Sequence, residues 1–155
     1  MLRKYKRTAG VTLAETVVVL AVLVVVSANI SFVPAERRLL AAAAIEVRSD
    51  IRYLQRIALT EGRRTRITFN SDDNSYILDK WEEGRHKKIK TVKFDPVVES
   101  LFTNASGANI TFTARGTTGD ACVIYIYSDK YTAELTVNVG AGRVKIKEIY
   151  KKTGR

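Results

Sequence analysis

Between Val11 and Val33 the chain runs for 23 residues with one charged side chain, Glu15. Directly before that block, Arg3, Lys4, Lys6 and Arg7 stand in a ten-residue opening that holds no acid. A cationic start followed by an apolar run is the pattern of a secretory signal, a membrane anchor, or both. The stretch from Thr16 to Val33 has 18 residues. As a helix it reaches ~27 Å, against a hydrocarbon layer ~30 Å thick. That is long for a signal core and adequate for a span. No A-x-A cleavage signal follows; Pro34, Ala35, Glu36, Arg37 and Arg38 take over instead. The leading cations keep the N-terminus on the cytoplasmic side. The expectation is a single-pass protein of the cytoplasmic membrane, with everything after Pro34 periplasmic or extracellular.

The rest of the 155 residues is one domain's worth of chain. One Cys, Cys122, excludes an intrachain disulfide and a cysteine zinc cage. One His, His86, leaves no cluster for a metal and weakens any hydrolase triad; among Arg85 and Lys87 it reads as a solvated loop residue. No catalytic residues, metal or cofactor are expected. Asp72 and Asp73 lie in SDDNS, which lacks the ligand series of a calcium loop and reads as a turn.

Glu15 is the unusual residue of the apolar block, because a lone carboxylate in a bilayer is costly and implies a partner. Its context is Gly10, Val11, Thr12, Leu13 and Glu15. This G|VTLAE stretch resembles the cleavage and methylation motif of type IV prepilins and pseudopilins. The resemblance implies that a prepilin peptidase cuts after Gly10 and that Val11 becomes the N-methylated first residue. It also implies that Glu15, fifth in the mature chain, meets the new terminal ammonium of an adjacent subunit. Two charges that are each costly in lipid become tolerable as a pair. Val11 departs from the family's usual Phe, and Pro34 comes slightly later than its usual helix-bending proline.

Beyond Pro34, Leu40, Ala44, Val47, Ile51, Leu54 and Ala58 recur every three or four residues, one helical stripe. Arg48, Arg52 and Arg56 lie off it, on a solvated side. Thr60, Glu61 and Gly62 supply a stop, with Gly62 as a left-handed cap. A continuous helix from Thr12 to Gly62 would be about 75 Å long; a membrane helix joined at Pro34 to a separate soluble one is the alternative. From Arg64 the period changes to two. RTRITFN and YILDKW read as a hairpin, Glu82–Lys93 as a loop with a short exposed strand, and Val97–Phe102 as an irregular connection. Asn109–Ala114, Cys122–Ser128, Tyr131–Val139 and Arg143–Tyr150 read as further strands. The fold class is therefore α+β, a long N-terminal helix on an antiparallel sheet of six or so strands.

The stretches Ile51–Phe69 and Asn109–Lys147, the latter ending in VNVGAGRVKI, resemble the GspH/FimT-type minor pseudopilins and minor pilins. With G|VTLAE this gives a pilin-like layout: leader 1–10, transmembrane and assembly helix 11–34, amphipathic half 35–62, and β domain 63–155. The resemblance implies a structural subunit of a type II secretion pseudopilus or type IV pilus-like filament. Its partners would be the prepilin peptidase, other pilins through the N-terminal helix, the membrane and, in one alternative, DNA. Removing the leader would leave 145 residues at a net +6, of which +5 lies in Arg143–Arg155. Arg143, Lys145, Lys147, Lys151, Lys152 and Arg155 would meet phosphates in a salt-sensitive way. Some FimT-like minor pilins are DNA receptors, which makes DNA uptake the alternative function. The competing reading is a basic tail that contacts acidic polymers or neighbouring subunits.

Overall fold

The computed structural model describes residues 12–28, 33–119 and 121–152, in two units that divide between Val33 and Pro34. In the first unit, α1 (Leu13–Ala28) is apolar on every side, and its Leu and Val side chains are exposed. Such a helix has no face to turn towards water and needs lipid or other helices around it. Among the described residues no helix is long and apolar enough to cross a membrane, α1 itself having 16 residues. The expected span to Val33 runs through residues 29–32, which lie outside the described residues, and the expected unbroken helix from Thr12 to Gly62 is interrupted at Val33 and Pro34, which are not helical.

The second unit opens with Pro34, whose extended backbone caps α2 (Ala35–Glu61) and whose carbonyl accepts the Arg38 N–H at 3.2 Å. Proline here starts a helix, the position where its missing N–H costs nothing. Leu40, Ala44, Val47, Ile51, Leu54 and Ala58 are all fully buried, and Ala43 and Ile57 widen the stripe. Each large side chain among them contributes about 1.5–3 kcal/mol by leaving water, far more than helix propensity supplies. Gly62 ends the helix at φ +63°, the left-handed conformation that glycine adopts without strain.

Eight strands follow: β1 (Thr65–Asn70), β2 (Ser75–Glu82), β3 (Arg85–Lys93), β4 (Ser100–Thr103), β5 (Asn109–Phe112), β6 (Cys122–Tyr127), β7 (Tyr131–Val137) and β8 (Val144–Lys151). They form two antiparallel sheets rather than one. The first has the order β3-β2-β1-β5 and the second β4-β6-β7-β8. Ile67, Phe69, Tyr76, Leu78 and Phe112 of the first sheet join Ile124, Ile126, Ala133, Leu135 and Val137 of the second in one core with α2. Thr118 joins the sheets through bridges to Phe112 and Gly140. Gln55 ties them to the helix, its Nε2 donating to Gly116 O at 2.9 Å and also to Ala141 O.

Two segments correct the sequence reading. Glu82–Lys93 does hold the expected exposed strand, but the loop shrinks to a two-residue turn at Glu83-Gly84, both at positive φ, and the strand, β3, is nine residues long. Its charges hide its strand character because β3 is a sheet edge. There main-chain pairing and one buried Val92 suffice, and lysines guard the open side. The irregular connection likewise holds β4, paired with β6.

Glu36 fastens the start of α2 to the β6–β7 turn: its Oε1 accepts Ser128 Oγ at 2.6 Å and Lys130 N–H at 2.8 Å. The Ser128 hydrogen bond first, and the Lys130 amide second, hold its carboxyl below the usual carboxylate range. A lowered native pKa means stability that is full above the unfolded value of 4.5 and lost as pH falls through the native one. Glu36→Gln should therefore lower the melting temperature at pH 7, and thermal melts should show that difference shrinking below pH 4.5. A difference that persists undiminished at pH 2–3 would mean that packing, not the charge, holds this corner.

Candidate functional site

Glu15 sits in the first turn of α1, where the helix's partial positive charge favours a carboxylate. Its N–H donates to Thr12 Oγ1 at 3.3 Å, and Thr16 N–H bonds Thr12 O at 3.1 Å. Thr12 and Glu15 have the three-residue spacing of a helix-opening box. The bond to Thr12 is made by the main-chain N–H of Glu15, so Thr12 caps the helix while the carboxylate is the group that can act outward. Gly10 and Val11 lie outside the described residues.

The basic C-terminal segment is no free tail, since most of it is the edge strand β8. Val144 is buried, whereas Arg143, Lys145 and Lys151 are exposed and, among the described residues, in no ion pair. Lys147 is the extra residue of a bulge opposite Glu134–Leu135, and its ammonium lies 3.0 Å from Glu134 Oε1. That hydrogen bond raises its pKa. Lys152 lies 3.6 Å from Glu99 and over the Tyr127 ring, 5.6 Å from its centroid. Tyr127 stacks on Tyr125 with centroids 6.1 Å apart. Arg155 lies outside the described residues. Of the cations singled out in the sequence, the structure leaves three facing solvent and ties two to acids of the same chain.

Two clusters escaped the sequence reading. Between α2 and β3 an open hollow of about 740 Å³ is lined by Ser49, Asp50, Arg52, Tyr53, Arg56 and Lys90. Asp50 accepts the Tyr76 hydroxyl at 2.8 Å and the Lys90 ammonium at 2.9 Å. Burial first, and Asp50 second, push the Tyr76 phenol far up and keep it protonated. The other cluster lies on the outer face of the first sheet. There Asp79, only 5% exposed, receives Arg66 through Nε at 3.3 Å and Nη2 at 3.1 Å. His86 Nδ1 lies against the other oxygen of Asp79, and its ring meets Trp81 edge to face at 4.8 Å. His86 is therefore a strand residue with partners, not a loop residue. The signal that would have found it is hairpin parity: Trp81 faces His86, and Arg66 faces Asp79.

No protein-family model matches this chain, and no curated protein sequence does. Solved structures do. The Pseudomonas aeruginosa type IV minor pilin FimU matches with a TM-score of 0.61 at 18% identity, over 73% of this chain and 91% of FimU. The minor pseudopilin EpsH of the Vibrio cholerae type II secretion system matches with a TM-score of 0.59 at 9% identity, over 70% of this chain and 95% of EpsH. A helix packed across two antiparallel sheets, in nearly the full extent of both those proteins, gives this chain the pilin-like fold shared by a minor pilin and a minor pseudopilin.

Proposed function

We propose that this protein is a minor pilin or minor pseudopilin. It is inserted N-in through its apolar segment, cut after Gly10 by a prepilin peptidase, and assembled into a type IV pilus-like filament or type II secretion pseudopilus. The single observation that supports this most is a coincidence within one chain. The G|VTLAE stretch, with its basic leader, precedes a domain of the fold found in FimU and EpsH. Neither half is drawn from the other. The exposed α1, apolar apart from Glu15, Thr16 and Ser27, is what lateral packing among helices requires, and Glu15 at its start offers a charge to a neighbour's terminal ammonium.

Assembly is tested in the producing cell. Glu15→Gln should still be inserted and cleaved, yet its share of the sheared filament fraction on an immunoblot should fall at least tenfold. Undiminished incorporation would remove the pairing role.

DNA binding is the second reading, supported by the exposure of Arg143, Lys145, Lys151 and Tyr150 along one strand edge. Each phosphate-contacting lysine adds about one unit to the salt dependence of affinity. Titrating the full-length protein in detergent with duplex DNA at several salt concentrations, the slope should fall by about two for Lys145→Ala with Lys151→Ala. It should fall less for Lys147→Ala with Lys152→Ala, because those ammonium groups already face Glu134 and Glu99. Wild-type binding with no salt dependence, or none at all, would eliminate this reading.

A further inference from the structure

The outer face of the first sheet carries an arrangement that sheet stability does not require. Outward positions on a strand are ordinarily met by water, and a carboxylate there is cheapest when exposed. Asp79 is instead 5% exposed: its Oδ2 accepts Arg66, while its Oδ1 has no hydrogen-bond donor among the described residues and only lies against His86 Nδ1. Burying a charged group is favourable only when its partners are fixed around it. The Arg66 guanidinium is held in place by its two bonds to Asp79, and the His86 ring is set beside this acid by its edge-to-face contact with Trp81. With Nδ1 lying against Asp79, Nε2 is the ring's other polar atom.

Above this pair lies a shallow pit of about 230 Å³ lined by Arg64, Arg66, Trp81, His86, Asn109 and Thr111. That suits a single ring-sized group rather than a length of polymer. Trp81, 42% exposed at the end of β2, provides an indole wall whose electron-rich face attracts polarised C–H groups. Arg64 is exposed and in no ion pair among the described residues, and it supplies a cation that Asp79 does not already neutralise. Asn109 and Thr111, adjacent to Arg66 and Thr68 across β1 and β5, add an amide and a hydroxyl.

We infer that this pit binds one acidic sugar residue, a uronic acid of a polysaccharide. Its ring would lie on Trp81, its carboxylate on Arg64, and its hydroxyls on Asn109, Thr111 and His86 Nε2. An aliphatic carboxylate would leave the indole unused. A neutral sugar would leave the Arg64 charge unmatched. The combination of an aromatic wall, an unneutralised guanidinium and fixed neutral donors fits a ring that bears both hydroxyls and a negative charge. The inference holds whichever filament, if any, displays the domain.

Trp81 is the single tryptophan of the chain, so its emission reports on the pit directly. The full-length protein in non-ionic detergent is titrated with trigalacturonic acid, with maltotriose as a neutral probe and acetate as a bare carboxylate. Trigalacturonic acid should shift or quench the emission saturably, while maltotriose and acetate should bind at least tenfold more weakly. Arg64→Ala should weaken trigalacturonic acid at least tenfold with an unchanged circular dichroism spectrum. If Arg64→Ala fails to fold, Thr111→Val serves as the second variant, with a threefold or larger loss expected. No saturable change for the wild type overturns the inference, as does equal affinity for maltotriose. An unaffected titration in the folded variant overturns the placement of the carboxylate.

Discussion

Gly10→Ala should leave the protein at its full-length mass when it is produced together with a prepilin peptidase, whereas the parent loses its ten-residue leader. The expected effect is all or none. A peptidase that cuts an extended segment at the membrane surface must bring main chain close to its catalytic groups, and glycine alone offers no Cβ at the residue before the bond. Intact-mass measurement of the membrane fraction separates the two forms without ambiguity. The same measurement weighs the whole assignment. If the parent also keeps its leader, the pilin reading fails, and an uncleaved anchored β domain takes its place. Glu15→Gln should be cleaved like the parent, so processing and assembly are lost at different residues.

The second large effect is on stability. Gly142→Ala should cost about 2–5 kcal/mol, a large share of the 5–15 kcal/mol that holds a domain of this size. Gly142 has φ +57°, and a Cβ built there would come within 2.6 Å of the Phe112 ring and 3.1 Å of Gln55 Nε2. Backbone strain and overpacking act together at this one position. They can be separated with Gly84→Ala, where φ is +78° but nothing lies within 4 Å of the added carbon. That variant should lose only the strain, about 1–2 kcal/mol. Urea denaturation of both full-length variants in detergent measures the difference. Equal losses would mean that Phe112 and Gln55 yield freely and that the turn after β7 is not pressed against the core. A loss at Gly142 alone would fit the role of Gln55, which holds that turn and the Gly116 turn to α2.

Much of this architecture was legible from spacing. The α2 stripe needed no tertiary information, because the residues that recur every three or four positions are those the structure buries completely. Gly62 was equally readable, since few other residues end a helix in the left-handed conformation. Cys122–Tyr127 and Tyr131–Val137 showed their alternation because each sends one face into the core. β3 did not, because an edge strand can be charged at nearly every position and still pair. With β3 hidden, so was the division into two sheets, and so was the face on which His86 falls.

The candidate sites divide along the same line. Glu15 stands out in the sequence because a carboxylate inside an apolar block has few neighbours to explain it. The cations from Arg143 to Lys152 stand out as a charge count, but a count cannot tell Lys145, which faces solvent, from Lys147, which faces Glu134. The Asp79 cluster carries no local signal, since Arg66, Asp79 and His86 lie on three different strands.

By itself, then, the sequence determined what repeats along the chain: an apolar block with one acid, a helical stripe, and alternation in the later strands. Periodicity and charge are properties of neighbours in sequence, and hydrophobic burial acts on them directly. Only the tertiary structure decided which strands share a sheet, which lysines are already neutralised, and which acid is buried between an arginine and a histidine. Those outcomes depend on strand register, and register is fixed by turns and by contacts between residues far apart in the chain.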